Sequence, residues 1–410
     1  MISIKEALEK ILAEQLPGEP EEQKLLSASG CVLAGDVLSK VDLPVFDSSA
    51  MDGFAVREED TLEATKDRPV RLVMKEEVWA GKVPERGVSK KTCSRIMTGA
   101  IIPHGADSVV IQEEATLEDD EVLISAPAVR GANIRFKGED LHKNDVILSR
   151  GRVLTPAAMG LLAHAGVGSC VVYPRPKVVV IPTGTELVKP GKPLKEAQIY
   201  DSNSYSLNAA IGQLGIEALL CEPVMDDRES IFNYVSHALH MATHVIICGG
   251  VSVGDYDYNK SVLADCDVRE VFWKVSQKPG RPLYYGRKGK AHVFGLPGNP
   301  ASTLLCFYEY IRPALLKYMG YDESKILLTE DVAVLKESVK KKAQRTEFCR
   351  AYAEHTAQGL SVCVLDKQGS HIMTSFVNAN CLAILPENMH DVPAGSSVKI
   401  HWLPASPLCR

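Results

Sequence analysis

Three stretches of different hydrophobic rhythm predict an α/β and β multidomain protein. It should have a doubly wound, mostly parallel α/β domain, two smaller β-rich domains and a mixed connecting domain. Between Lys177 and Tyr318, short continuous apolar runs alternate with segments of helical spacing, the pattern of a parallel sheet covered on both faces. From Val45 to about Leu141, short β-like runs are separated by Gly and Pro, and after about Asp322 the chain returns to β spacing. The expected boundaries are 1–44 with 142–174 for the connecting domain, its N-terminal helix free to pack elsewhere. The first β-rich domain takes 45–141, the α/β domain 175–323 and the C-terminal β domain 324–410.

In chain order, Ile4, Ala7, Leu8, Ile11 and Leu12 recur at helical spacing and give a helix over 4–15. Gln23 to Leu43 reads as short elements and turns. Arg71–Met74, Ser108–Gln112 and Val122–Ser125 read as strands of the first β domain. Pro156 to Ala165 reads as a helix with proline near its start. The surrounding stretch from Val153 to Pro174 has no Asp, Glu, Lys or Arg, but it contains Pro156, His164 and three glycines. It therefore reads as a helix followed by a strand rather than a membrane span. In the α/β region, Val178–Ile181, Ala218–Cys221, Val245–Cys248 and His292–Phe294 are strands. Ser204–Leu214, Glu229–Ala242 and a long run from Ala301 to Tyr318 are helices. Ala333–Leu335, Leu360–Leu365 and Ser397–Trp402 carry the last β domain.

Composition narrows the function classes. The 410 residues are 45% hydrophobic and 24% charged, with 46 basic and 52 acidic side chains and a net charge of -6, so a general nucleic-acid binder is not expected. A protein of this balance that binds anions must concentrate its Lys and Arg locally. The 11 cysteines are scattered, odd in number and form no CxxC pair, which suits reduced thiols in a cytoplasmic protein. The N-terminus, Met1 to Lys10, is interrupted by Glu and Lys and is not a signal peptide. No membrane partner is expected.

The strongest single signal is Val245-Ile-Ile-Cys-Gly-Gly-Val-Ser-Val-Gly-Asp-Tyr-Asp257, a buried strand running into a glycine loop that ends in carboxylates. Gly249, Gly250 and Gly254 let the backbone approach a ligand closely, and free N–H groups in such a turn can cradle an oxyanion. Ser252 lies among them; Asp255 and Asp257 can hold a hard cation beside that anion. Ligands in open α/β sheets bind outside the carboxyl ends of strands. The loop Pro182-Thr-Gly-Thr-Glu186 ends another strand there, offering Thr183, Gly184 and the Glu186 carboxylate. Asp226 and Asp227 follow the next strand; either can ligate a metal or cap the coming helix. Trp273 to Pro282 gathers Lys274, Lys278 and Arg281 around a proline-stiffened turn, which is either a solvated charge run or an anion site. Leu296-Pro297-Gly298-Asn299-Pro300 joins a strand to a helix, with Asn299 at the N-cap and Pro300 at the first position. Such a start attracts oxyanions or is simply well capped. Three polar loops lie far away in sequence: Asp47 to Asp52, Thr98-Gly99, and Arg135 to Asp140.

Taken together, these motifs resemble the MoeA family of molybdopterin molybdenumtransferases, related to the E domain of gephyrin, over nearly the whole chain. The resemblance rests on Ser49–Ala55, Met97–Ala100, Gly138–Asp140, Pro182–Glu186, Gly249–Gly254, Lys278–Pro282 and Leu296–Pro300, which stand in family order. It implies a cytoplasmic enzyme of molybdenum cofactor biosynthesis that takes molybdate and adenylylated molybdopterin as substrates, uses Mg²⁺, and releases AMP. By resemblance, Glu186, Asp226 and Asp257 are the cation or water-activating residues. Asp52, Thr98 and Asp140 are polar site residues of the β domain, and Lys274 and Lys278 bind anions. Arg345, Arg350 and Ser370 (in Gly369-Ser-His371) help hold the pterin phosphate or molybdate. Pro297, Gly298, Asn299 and Pro300 belong to the same lining. The family forms homodimers whose cleft joins the α/β domain of one subunit to the Asp52/Thr98 domain of the other, and an adenylylating MogA-like protein is an implied partner. Two positions depart from the family pattern: Thr185 stands where many members have Asp, and Arg281 where Lys is frequent. Tungsten insertion by the same chemistry and a gephyrin-like peptide-binding scaffold are the alternative readings.

Overall fold

The computed structural model describes residues 1–250, 258–341 and 344–404. The chain divides into two compact units, one of Met1–Glu21, Gly30–Ala34 and Val171–Arg410, the other of Glu22–Ser29 and Gly35–Cys170.

The first unit is built on a six-stranded sheet in the order Ala218–Leu220, Val178–Pro182, His244–Cys248, Ala291–Leu296, Tyr284–Lys288, Arg269–Trp273. The first four strands are joined by parallel pairings and the last two are added by antiparallel ones. Side chains alternate between two apolar layers, as the period of a strand requires. Val178, Val180, Ile246, Phe294 and Leu296 face one layer, and Val179, Ile181, Val245, Ile247 and Val293 the other. Helices Asn203–Gly212 and Pro300–Cys306 pack on the first face and Arg228–Met241 and Asn259–Asp265 on the second. The two antiparallel strands are absent from the sequence reading. Arg269, Glu270, Arg287 and Lys288 mask their apolar positions, yet Tyr284–Lys288 continues the sheet with Tyr284 and Tyr285 buried in opposite apolar layers, and Arg269–Trp273 forms its edge.

The long helix expected over 301–318 is not continuous. It runs Pro300–Cys306, opens into a π-helical turn over Phe307–Ile311, and resumes over Arg312–Tyr318. Pro313 gives the reason: it has no N–H for an i→i−4 bond, and its ring would strike the carbonyl of residue 309, so the turn before it widens.

Helix Ile4–Glu14, N-capped by Ser3, packs on the α/β layer through Ala7 and Ile11 rather than with the connecting segments. Its end is fastened by polar contacts. Glu14 pairs with Arg269 at 2.7 Å and Arg287 at 3.0 Å, and Gln15 Oε1 lies 2.9 Å from His244 Nε2. His244 and His292 stand opposite one another in neighbouring strands with their rings stacked at 5.1 Å.

The C-terminal strands Glu330–Leu335, Thr346–Thr356, Gly359–Val364, Cys381–Leu385 and Ser397–Trp402 form a sheet that closes when Thr346–Thr356 pairs with Cys381–Leu385. Its interior mixes small residues, Ala333, Cys349, Ala351, Ala353, Cys381 and Ala383, with larger ones such as Leu335, Leu385 and Ile400, as a small closed sheet needs to fill its taper. The short strand Gln277–Lys278 of the α/β domain adds to this sheet, pairing in parallel with Thr346 and Glu347.

The second unit holds a six-stranded sheet ordered Ser108–Ile111, Gly53–Val56, Thr92–Ile96, Val70–Val78, Glu121–Ile124, Ala115–Glu118. Helix Pro156–His164 is capped by Thr155, with Pro156 in its first turn. Among the described residues no helix is long and apolar enough to cross a membrane.

The histidine pair sets a pH dependence. Burial, then the charge of Arg287, lowers the pKa of His292 to about 4. The unfolded chain titrates the same group near 6.5, so between about pH 6.5 and 4 the unfolded state binds the extra proton. This contribution to stability is therefore present above that window and lost as pH falls through it, amounting to at most about 3 kcal/mol. Urea unfolding of the chain between pH 7.5 and 4.5 should show that decline, and His292→Gln should reduce it, the remainder belonging to His244, whose pKa burial also lowers.

Candidate functional site

The carboxyl ends of the parallel strands carry the first half of the site. Past Pro182 and Cys248 the chain cannot continue as sheet, so backbone groups are fixed by cross-loop bonds. Thr183 N donates to Cys248 O at 2.8 Å, Gly184 N to Val224 O at 2.9 Å and Gly249 N to Leu296 O at 3.0 Å. Two positions require glycine. Gly249 has φ +102° and a Cβ there would lie 2.5 Å from Thr183 O; Gly250 has φ +56° and a Cβ would meet Asn259 Nδ2 at 2.4 Å. Asn259, fully buried, stitches this turn by donating to Gly249 O at 2.8 Å and Thr183 Oγ1 at 3.4 Å. Its Oδ1 has no partner among the described residues, nor does the buried Oδ1 of Asn203, whose Nδ2 donates to Gly298 O at 2.8 Å. Neither asparagine stands out in sequence, because each sits at a helix start, where Asn is ordinary.

The carboxylates sort themselves by hydrogen bonding. Asp227 is the helix N-cap, accepting from Ser230 N at 2.8 Å, and its pKa is lowered by that bond. Asp226, one residue earlier, faces away from that task. Its main-chain N–H donates to Thr185 Oγ1 at 3.2 Å, and its carboxyl pKa is raised by desolvation and by the negative charge of Glu186. No Lys or Arg among the described residues pairs with either carboxylate. Two like charges side by side fit a hard cation, which would relieve their repulsion. The other acidic candidate, Asp257, and the candidates Ser252 and Gly254 lie outside the described residues. Among those described, no cluster of three or more His, Cys, Asp or Glu is placed to hold a metal.

The second half of the site is a cleft of about 650 Å³ between the α/β domain and the barrel. Lys278, Arg281, Lys340 and Arg345 line it, with Ser370, Pro297 and Asn299. The Pro297–Asn299 loop is common to both halves: Asn299 lines the cleft, while a Cβ at Gly298 would come 3.8 Å from Gly249 Cα. Asn299 does occupy the N-cap and Pro300 the first helical turn, but the Asn299 side chain makes no capping bond. Lys278 Nζ lies 3.3 Å from Glu347, a wall residue the sequence reading missed along with Lys340. Arg345 NH1 reaches Gln277 O at 3.5 Å. Ser370 O accepts from Ala301 N at 3.1 Å, which ties the barrel turn to the helix start.

Two cationic candidates lie elsewhere. Arg350 is 1% exposed and does not open into the cleft. Cys349 and Ala351 point into the barrel, so strand alternation turns Arg350 outward into buried space. There it donates to Ser375 Oγ at 3.2 Å, Lys367 O at 3.1 Å and Gly369 O at 3.0 Å, holding the turn that presents Ser370. Lys274 places its ammonium 3.5 Å from the centre of the Trp273 ring rather than on the cleft wall.

Asp52, Thr98 and Asp140 belong to the second unit. Asp52 Oδ1 accepts from both the N–H and the hydroxyl of Thr98 at 2.7 Å, and those bonds, backbone first, hold its carboxyl below its ordinary pKa. Asp140 is exposed, anchored by its N–H to Leu43 O at 3.0 Å. Neither contact joins Asp140 to the Asp52–Thr98 pair.

Three stretches of the chain match known families. Residues 2–166 match the MoeA N-terminal region (domain I and II), residues 179–317 a probable molybdopterin binding domain, and residues 332–403 the MoeA C-terminal region (domain IV). The chain is 37% identical to the molybdopterin molybdenumtransferase of Haemophilus influenzae over 98% of both proteins. It is 36% identical to molybdopterin molybdenumtransferase 2 of Mycobacterium tuberculosis over 96% of this chain and 97% of that one. Among solved structures, the molybdopterin biosynthesis MoeA protein from Pyrococcus horikosii is similar with a TM-score of 0.81 and 32% identity, covering 99% of this chain and 100% of that one.

The carboxylate pair can be tested without any substrate. Because Glu186 is a named cause of the raised Asp226 pKa, Glu186→Gln should move the Asp226 titration down toward the ordinary carboxyl range. Carbon-detected NMR titration of the side-chain carboxyl reads this directly; an unmoved Asp226 would mean the two groups do not share a site.

Proposed function

The chain belongs to the MoeA family, and from that premise we propose that it is a molybdopterin molybdenumtransferase. In this reading it splits adenylylated molybdopterin, inserts molybdenum from molybdate at the dithiolene, and releases AMP. The observation that carries the reading is the Pro297–Asn299 loop, which lines the cation-rich cleft through Asn299 and meets the glycine turn at the strand ends through Gly298. A nucleotide-linked pterin and a tetrahedral dianion need both kinds of surface in one place.

The roles follow from charge. Lys278, Arg281, Lys340 and Arg345 bind and orient the oxyanions, with donors already in position when charge develops. Ser370, Thr183 and the glycine turn at Gly249–Gly250 supply further hydroxyl and backbone groups. Glu186 and Asp226 would hold Mg²⁺, which when bound supplies charge neutralisation and Lewis acidity at the phosphoanhydride. We assign Asp257 to the same set by family resemblance. The reduced state expected of the cysteines supports a cytoplasmic reaction, and the adenylylated substrate calls for a MogA-like supplier.

We further propose that the working form is a homodimer in which Asp52, Thr98 and Asp140 of one subunit complete the site of the other. The ionised Asp52, fixed by two bonds from Thr98, is built to present its free oxygen to a ligand or a cation.

The decisive measurement is AMP release from adenylylated molybdopterin with Mg²⁺ and either molybdate or tungstate, whose ratio separates molybdenum from tungsten insertion. Asp52→Ala and Glu186→Ala should each slow release at least about tenfold; wild-type rates in both would reject the assignment. Equal mixing of the two inactive variants should restore part of the activity if each dimer then holds one intact composite site, and restoration should fail if the site lies within one chain.

A further inference from the structure

Beneath the cationic loop lies a buried polar network that no role above requires. The Gln277 side chain is fully buried directly below the turn Lys278–Arg281. Its Nε2 donates to Gly280 O at 3.2 Å and approaches Cys306 Sγ at 3.7 Å, and its Oε1 accepts the hydroxyl of Tyr310. Gly280, at φ +87°, rests on this amide so closely that a Cβ would lie 2.7 Å from both Gln277 Nε2 and Cys306 Sγ. The Gln277 main-chain carbonyl faces the other way and accepts from Arg345. One residue therefore touches both cationic arms of the cleft, the loop bearing Lys278 and Arg281 and the guanidinium of Arg345.

Tyr310 belongs to the π-helical turn Phe307–Ile311, and its neighbour Glu309 bonds His401 Nδ1 at 2.9 Å on the last barrel strand. The turn thus supports the loop wall through Tyr310 and braces the barrel through Glu309. Turns of this kind recur at functional sites, where a widened helix re-aims a side chain. A satisfied buried amide is also a stiff support, since any shift of the loop would leave Gln277 or Tyr310 unpaired in the core.

We infer that Gln277 and Tyr310 are positioning residues for the oxyanion cleft: they set the height of the Lys278–Arg281 loop and the reach of Arg345, and so govern the affinity for molybdate. The inference rests on the reading of this cleft as the molybdate site. It goes beyond that reading by placing a determinant of affinity in the uncharged side-chain network beneath the cationic loop.

The test is calorimetric titration of the full chain with sodium molybdate alone, alongside kcat and the KM for molybdate in the AMP-release assay. Tyr310→Phe, which removes one oxygen, and Gln277→Met, which keeps the shape and loses both bonds, should each weaken molybdate binding by about tenfold, because small displacements of binding groups are costly. KM should rise in step while kcat at saturating molybdate stays near wild type. Leu316→Ala, a cavity in the same helical run away from the loop, serves as the stability control and should leave affinity unchanged. The inference is overturned if the two variants bind molybdate as wild type does, or if Leu316→Ala loses as much affinity as they do. Absence of molybdate binding by the wild-type chain would overturn the oxyanion reading and this inference with it. Should Gln277→Met fail to fold, Tyr310→Phe decides alone.

Discussion

A strand with no exposed face can be touched only at its ends, and the rest of this molecule is arranged around that constraint. All five residues of His244–Cys248 are buried, as are all five of Val178–Pro182 and all six of Ala291–Leu296. Chemistry is therefore pushed to the loops that leave the sheet. Those loops cannot use ladder hydrogen bonds, so they bond each other and borrow Asn259 and Asn203 from neighbouring helices. The opposite ends of the same strands meet the same constraint with a structural answer. There His244 and His292 stay neutral and stacked, and Gln15 closes the polar account of the N-terminal helix.

The second governing feature is a single proline. Pro313 forbids an ordinary turn in the helix that follows the Pro297–Asn299 loop, and the widened turn it leaves behind carries Tyr310 and Glu309. One residue of that turn faces the cationic loop and the other the barrel. Strand pairing adds to the same link, since Gln277 and Lys278 continue the barrel sheet beside Thr346 and Glu347. The cleft is thus defined by backbone pairing and buried hydrogen bonds, while the charges that line it remain accessible to a ligand.

Much of this was legible in sequence wherever one physical signal dominated. Val178–Ile181 and Val245–Cys248 are uninterrupted and β-branched, so their strands could be read directly. Pro156, and Asn299 before Pro300, marked helix starts. Pairs of roles on adjacent residues were harder: Asp226 and Asp227 offered the same two uses, and only the bond from Ser230 separates cap from free carboxylate. Arg350 looked like Arg345 because charge alone was visible. Their difference is one of place: Arg345 precedes the strand Thr346–Thr356, while Arg350 lies within it on the face opposite Cys349 and Ala351. Tyr284–Lys288 and Arg269–Trp273 were lost for the reverse reason, as their charges hid the apolar positions beside them. Gln277 and Tyr310 carry no local signal at all, since their contact spans 33 residues of sequence.

Thr185 shows how geometry can change the meaning of a departure from a family pattern. An aspartate at this position would add a third carboxylate to a place where Glu186 already raises the Asp226 pKa. Threonine instead accepts the Asp226 N–H through its hydroxyl, fixing the main chain that carries the carboxylate. The exchange trades one negative charge for orientation of another. A cation held by Glu186 and Asp226 would then face less negative charge but better-fixed oxygens, and ordering of ligands lowers the entropy lost on binding. The missing carboxylate is thus compensated in kind by position rather than by charge. The same logic runs through the cleft, where Gln277 and Tyr310 contribute no charge to the anion and yet decide where the charges stand.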